Sequence, residues 1–331
     1  MATTPTLKDV AQRAGVSMTT ASHTFSGRRP VSPATRAAVL EAAFELGFSV
    51  RRRDRPLNVG LLLRPVEAVS GFVTGTGSFS SFAGTMLLSL LTEGFSVTSF
   101  RDLSEVGHQV AAFDAFVLLG PNRNDKVLHT LIERDIPTVT FDPDPGEEDF
   151  HWWAGPDYSR GVRHLIAHLI EAGARQPALI VGATPNTYLG VVRDAYIDEM
   201  RIRGLRVLVR ELNSTTAQQG GYAAARSLMG VDRAPDAVIT SSPVFAVGAL
   251  DGITAAGRTV PDDVLLASMA DAPIAERARV GITAVRPDWH ATSRVLTALL
   301  VRRLTPGATM QHGELLGLEI VRRASTRRAP A

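Results

Sequence analysis

The chain has 331 residues, 45% of them hydrophobic and 21% charged, enough for two or three cores at ~100–200 residues per domain. It contains no cysteine, which excludes disulfides, thiolate nucleophiles and cysteine-held zinc, and no apolar run reaches the roughly 18 residues that cross a bilayer. The net charge of +2 conceals an asymmetry: residues 1–56 carry nine Lys or Arg against four acids, a net of +5, which leaves −3 for the other 275.

A basic end on a mildly acidic body suits a polyanion partner. The opening MATTPTLKDVAQRAGV lacks the basic-then-apolar order of an export signal, so a cytoplasmic protein is expected. Thr6 caps a first helix, with Asp9 three residues on completing a box-like pattern. Leu7, Val10, Ala11 and Ala14 repeat at helical spacing. Gly15 supplies a turn at φ > 0. Ser17 caps a second helix that runs to about Ser26, with Ala21 and Phe25 inward. The loop Gly27-Arg28-Arg29-Pro30 follows. Ser32-Pro33 then starts a third helix, with Val39, Leu40, Ala43, Phe44 and Leu46 as its apolar stripe and Gly47 as its end.

Three short helices with Ala11, Gly15 and Ala21 at these intervals predict a helix-turn-helix. A generic three-helix bundle is the plainer alternative, and the local positive charge favours the DNA-binding one. On the second helix Met18 and Ser22 are four apart, as are Thr19 and His23. All four lie toward one face, opposite Ala21 and Phe25.

The residues Thr6-Leu7-Lys8-Asp9-Val10-Ala11, Ala14-Gly15-Val16-Ser17, Thr20, Ser22, Gly27, Val31-Ser32, Thr35-Arg36 and Leu46-Gly47-Phe48 resemble the LacI/GalR family of bacterial repressors. The resemblance implies that Met18, Thr19 and His23 read bases and that Ser17, Thr20 and Ser22 face phosphates. Thr6 joins them in fixing register, and Arg28 is grouped with the DNA-facing residues. Thr19 suits a base edge or a thymine methyl, Met18 offers apolar contact, and His23 makes one bond where the family's usual arginine makes two to guanine. A solvated surface histidine is the bland alternative for His23. Binding as a homodimer to a near-palindromic double-stranded operator is implied.

The linker departs from that pattern. Residues 49–56 read Ser-Val-Arg-Arg-Arg-Asp-Arg-Pro, about six residues shorter than the family pattern, with no leucine to wedge into the minor groove. Arg51, Arg52 and Arg53 either track phosphates or a narrow minor groove, or form a solvated tether. Little central bend in the operator is expected.

From Leu57 strands and amphipathic helices alternate. Strands are predicted over Asn58–Leu63, Ser96–Phe100, Ala115–Leu119, Thr138–Phe141, Ala178–Val181, Ala237–Thr240 and Leu265–Ser268. Helices are predicted over Phe79–Glu93, Lys126–Glu133, Tyr158–Ala172, Val192–Arg203, Ala217–Leu228, Phe245–Ala256 and Trp289–Arg303. This alternation predicts two doubly wound α/β lobes, and the resemblance implies a periplasmic-binding-protein-like core. The predicted organisation is a headpiece at 1–48, a linker at 49–56 and a core at 57–331. The near lobe would take about 57–154 and 284–304, the far lobe about 155–283 and 305–331. The run Gly71–Ser78 lacks the lysine of a phosphate-binding loop and reads as a strand-to-helix connection.

Ligands of such folds bind at strand carboxyl ends, here between the lobes. The resemblance places Phe79, Arg193 and Asp271 at effector positions, and Trp153 is taken as the one of the pair Trp152-Trp153 that faces the cleft. A guanidinium, a carboxylate and a ring face suit a sugar or related metabolite. The plainer alternative is that Arg193 and Asp271 pair with local charges. Ser242, Pro243 and Ala270 replace the family's usual polar residues, so a degenerate cleft with no effector is the alternative function. No enzyme, cofactor, metal or membrane partner is expected. The eight histidines show no metal spacing, and no serine sits in a nucleophile elbow. With no heptad tail after the last strand, a dimer is expected over a tetramer.

Overall fold

The computed structural model describes residues 6–26, 29, 31–46, 56–63, 78–105, 110, 112–305 and 307–328. Expectations about Arg28, Gly47, Arg51, Arg52, Arg53, the loop 71–77 and the side chains of Phe25, Leu40, Phe44 and Phe79 fall outside the described residues. The chain divides into two units, Met1–Pro56 and Leu57–Ala331.

In the first unit, helices α1 (Leu7–Arg13), α2 (Met18–Ser26) and α3 (Pro33–Glu45) close on a small core of Val10, Ala11, Ala21, Val39, Ala42 and Ala43. Each helix start is chemically fixed. Thr6 and Asp9 form a full capping box, Ser17 Oγ accepts the Thr20 amide at 3.0 Å, and Ser32 Oγ accepts the Thr35 amide at 3.1 Å. Gly15 takes φ +64° between α1 and α2, a conformation that costs a glycine little. The core is built mainly of alanine and valine, which lets the three helices approach closely.

The second unit holds two six-stranded sheets. The near sheet contains β1 (Asn58–Leu63), β2 (Ser96–Phe100), β3 (Ala115–Leu119), β4 (Thr138–Phe141), β5 (Trp153–Pro156) and β11 (Glu314–Leu316), in the order β11-β5-β4-β3-β1-β2 with every pairing parallel. The far sheet contains β6 (Pro177–Gly182), β7 (Val209–Leu212), β8 (Ala237–Thr240), β9 (Leu265–Ser268), β10 (Thr283–Pro287) and β12 (Leu318–Val321). Its order is β12-β10-β9-β8-β6-β7, and only β12 runs antiparallel. Helices α4 (Ser78–Thr92), α5 (Lys126–Glu133) and α11 (Trp289–Arg303) serve the near sheet. Helices α6 (Tyr158–Glu171), α7 (Thr187–Ile202), α8 (Ala217–Met229), α9 (Pro243–Ala255) and the short α10 (Pro273–Glu276) serve the far one. Buried strands such as β3, AFVLL, read as unbroken apolar runs because helices cover both faces.

Among the described residues the chain changes lobe three times, between Pro156 and Tyr158, between Pro287 and Trp289, and at Gly317. These crossings correct the expected lobe boundaries. Residues 155–156 continue β5 in the near sheet, and 284–287 belong to the far sheet. The stretch before Gly317 returns to the near lobe, since β11 pairs with β5 and Met310 packs on the near core. The predicted elements otherwise match, apart from shifts at their ends. The largest is α7, which starts at Thr187 under an Asn186 cap, five residues before the predicted Val192.

Helices α8 and α9 meet backbone to backbone. A side chain at Gly248 would strike the Gln218 carbonyl, one at Gly221 the Phe245 carbonyl, and one at Gly252 the Tyr222 carbonyl. Only glycine permits that approach.

Candidate functional site

Two surfaces carry the functional residues. On the headpiece, Met18, Thr19 and Ser22 are exposed on α2, with Met18 at 59%. Ala21 and Thr24 of the same helix are buried in the headpiece. The Ser17 and Thr20 hydroxyls are bonded to each other at 2.8 Å, and the Thr6 hydroxyl is engaged by Asp9 at 2.6 Å. The bonds that the Thr6 hydroxyl and amide donate to Asp9 lower its carboxyl below its ordinary range. The three hydroxyls therefore shape the helix starts, where amides point outward toward any bound anion. His23 is half-buried and its Nδ1 is buried with no partner among the described residues. Its ring is thus partly tucked into the headpiece rather than freely solvated.

In the core, the expected effector residues Arg193, Asp271 and Trp153 each have neighbours of their own. Arg193, on α7, donates through Nε to Asp194 at 3.0 Å and through Nη1 to Glu211 at 3.5 Å. Its guanidinium charge is further favoured by those two acids. Asp271 follows β9 and is largely buried. Both of its oxygens are gripped by Arg323, at 2.8 and 2.9 Å, and Arg286 stands 3.7 Å away. Both residues thus have charged partners within the chain. Trp153 is half-buried, with its indole ring laid against Gly313. Trp152 packs on the near core, with the Arg303 guanidinium 5.2 Å from its ring centroid.

The carboxyl ends of the strands bring other residues together, which sequence reasoning did not single out as functional. Asp142, just after β4, lies 5% exposed with φ +64°. Its Oδ2 accepts the Tyr158 hydroxyl at 2.9 Å. Burial pushes the Asp142 carboxyl up to about 7, and the Tyr158 bond only partly offsets this. The Tyr158 and Tyr188 rings meet edge-on at 4.7 Å, and burial raises both phenols. The sequence signal was the turn-rich run Asp142-Pro143-Asp144-Pro145-Gly146, where the first residue after a buried strand must find a partner for a charged group. Among the described residues no group of histidines or acids could hold a metal ion, and no helix is long and apolar enough to cross a membrane.

Residues 6–50 match the bacterial regulatory proteins of the lacI family. Residues 166–326 match a periplasmic-binding-protein-like domain. The HTH-type transcriptional regulator CelR of Thermobifida fusca is 31% identical over 329 residues, covering 92% of this chain and 93% of the relative. The chain belongs to the LacI family. Among solved structures, a CelR–cellobiose complex aligns with a TM-score of 0.73 at 28% identity, over 97% of this chain and 99% of that one. A lac repressor dimer bound to operator and an anti-inducer aligns at 0.71 and 19% identity, over 98% and 99%; at that identity it speaks for the fold alone. As a LacI-family member this protein is a DNA-binding transcription regulator, with the α2 surface of Met18, Thr19 and Ser22 on its helix-turn-helix.

Proposed function

We propose that this regulator is a cytoplasmic repressor, not an enzyme, whose hold on a near-palindromic operator responds to a sugar-class molecule between the two lobes. The observation that carries the reading is the full-length likeness to a regulator solved with cellobiose, on a core whose strand carboxyl ends face one another across a seam. Met18, Thr19 and His23 would touch base edges, and Thr6, Ser17, Thr20, Ser22, Arg28 and the linker arginines Arg51, Arg52 and Arg53 would serve phosphates. Phe79, Trp153 and Arg193 are the proposed effector contacts, and Asp271 would act through Arg323.

The working unit would be a homodimer. Helix α4 has no charged residue in 15 and leaves Leu88 63% exposed, with Leu87 and Leu91 on the same side. A second copy of the same helix would cover that stripe. The test is selection of bound duplexes from a random pool, followed by titration of β-linked disaccharides against the protein–operator complex. Enrichment of one inverted repeat, and a shift in its affinity with sugar, are expected. Enrichment without any sugar response would favour a degenerate cleft, for which the commitment of Asp271 to Arg323 already speaks. No enrichment at all would overturn the reading.

A further inference from the structure

The two lobes are joined at the carboxyl ends of their strands by direct contacts of the chain with itself. Asn122 and Asn186 form an isolated antiparallel bridge. The Arg123 amide donates to the Pro185 carbonyl at 2.7 Å. The Thr187 hydroxyl donates to the Pro143 carbonyl at 2.6 Å. The Tyr158 hydroxyl donates to Asp142 Oδ2 at 2.9 Å. In each pair one partner belongs to the near lobe and the other to the far lobe.

We propose that this seam is a latch, with the Tyr158–Asp142 bond at its centre, and that it holds the two lobes of the core together. The argument rests on where the bond lies. Both side chains are more than nine-tenths buried, so loss of either would strand a polar group in a low-dielectric setting. Asp142 is rigidly presented. Its amide donates to the Ala154 carbonyl at 3.1 Å, and its own carbonyl accepts the Thr140 hydroxyl at 2.6 Å. Tyr158 is equally fixed, between the far core and the Tyr188 ring, while the Tyr188 hydroxyl donates to the Ser241 carbonyl.

The seam also carries an opposing cost. Asn122 Oδ1 is buried there without a partner among the described residues, and a carboxyl at Asp142 is poorly solvated. Opening would hydrate both groups and closing recovers the cross-lobe bonds. Contributions that oppose one another in this way suit a two-state element, not a rigid weld. The latch goes beyond the effector reading and does not depend on which molecule binds, or on whether one does.

Amide exchange of the full-length protein, without added ligand, tests it through the Arg123 amide, which spans the seam. Tyr158→Phe keeps the ring and removes the hydroxyl. It is expected to speed exchange at Arg123 by about tenfold, the opening expected on losing one such bond. Exchange in β3 and β8 should stay at wild-type rates, and the radius of gyration from X-ray scattering should rise. Thr187→Ala should act in the same direction, and it decides the matter alone if Tyr158→Phe does not fold. Asp142→Asn keeps an acceptor for the phenol and should remain closed. Wild-type exchange at Arg123 in both Tyr158→Phe and Thr187→Ala would overturn the proposal. So would an equal rise in β3 and β8, which marks general loss of stability instead of opening.

Discussion

Asp271 and Arg323 form a two-pronged ion pair, Nη1 to Oδ1 at 2.8 Å and Nη2 to Oδ2 at 2.9 Å, with 13% and 9% of the arginine and aspartate side chains exposed. The same guanidinium also donates to the Ile282 carbonyl at 2.7 Å. The pair ties the turn after β9 to the chain leaving β12, so it braces the far sheet across strands that are distant in sequence. Removing one member of a buried pair leaves the other charge uncompensated. Asp271→Ala is therefore expected to lower core stability by about 3 kcal/mol in urea unfolding. Arg323→Met added to it should recover part of the loss. If Asp271 instead served only an effector, the single variant would unfold like the wild type and differ solely in ligand affinity.

Asp142 makes stability depend on pH in a direction opposite to most carboxylates. Its folded value is about 7 against an ordinary 3.8, so the unfolded chain gives up this proton first. The contribution is complete below about pH 4, declines as pH rises, and is exhausted above about pH 7, with a limiting slope of about 1.4 kcal/mol per pH unit. The titratable groups facing it are the Tyr158 and Tyr188 phenols, both raised far above this window. Asparagine tolerates the φ of +64° at this position, so Asp142→Asn should fold and remove the decline. The readout is the difference between variant and wild-type urea midpoints from pH 5 to pH 8. Parallel curves would show that Asp142 is not the source.

Much of the core was legible because its strands are buried on both faces and its helices are long. β3, β8 and β9 appear as predicted, as do α5 and α11. The lobe crossings were not. Glu314–Val321, ELLGLEIV, looks like one strand, yet Gly317 divides it between two sheets. Periodicity records that a segment is extended and says nothing of which neighbour it pairs with. β5 is four residues containing Gly155 and Pro156, too short and too turn-like to register as a strand. The headpiece was read through its caps, which are local chemistry, and Thr6, Ser17 and Ser32 all cap as expected. Ion pairs such as Asp271–Arg323 span 52 residues, and nothing local in either segment announces the other. The same holds for Tyr158, which reads as the start of a helix and turns out to donate across the lobe boundary.

Helix α4 offers a separate test of assembly. Its inner face is bound to α11 by hydroxyl pairs, Thr85 with Ser293 at 3.0 Å and Ser89 with Thr297 at 2.8 Å. Polar changes on the outer face therefore leave the fold alone. Leu88→Glu places like charges opposite each other in a symmetric dimer and buries them. The expected outcome is a monomer by light scattering, with unchanged circular dichroism and a loss of operator affinity of at least about 100-fold from losing the second half-site. A dimer that survives Leu88→Glu would place the interface elsewhere.

His23 gives the sharpest test of base reading. Its Nδ1 is buried without a partner among the described residues, so the ring has one nitrogen left to offer a base. Arginine at this position would carry its charge past the buried pocket on a longer stem and could bond guanine through two donors. His23→Arg is expected to favour operators with guanine at the contacted pair by about 1–3 kcal/mol over the other bases. Thr19→Ala should relax preference at the neighbouring pair by a similar amount while leaving affinity for random duplex unchanged. Both are read by competition binding against operators substituted one pair at a time, at fixed salt. Uniform effects across all substituted operators would mean that these side chains touch only the backbone, and that α2 enters the groove on another face.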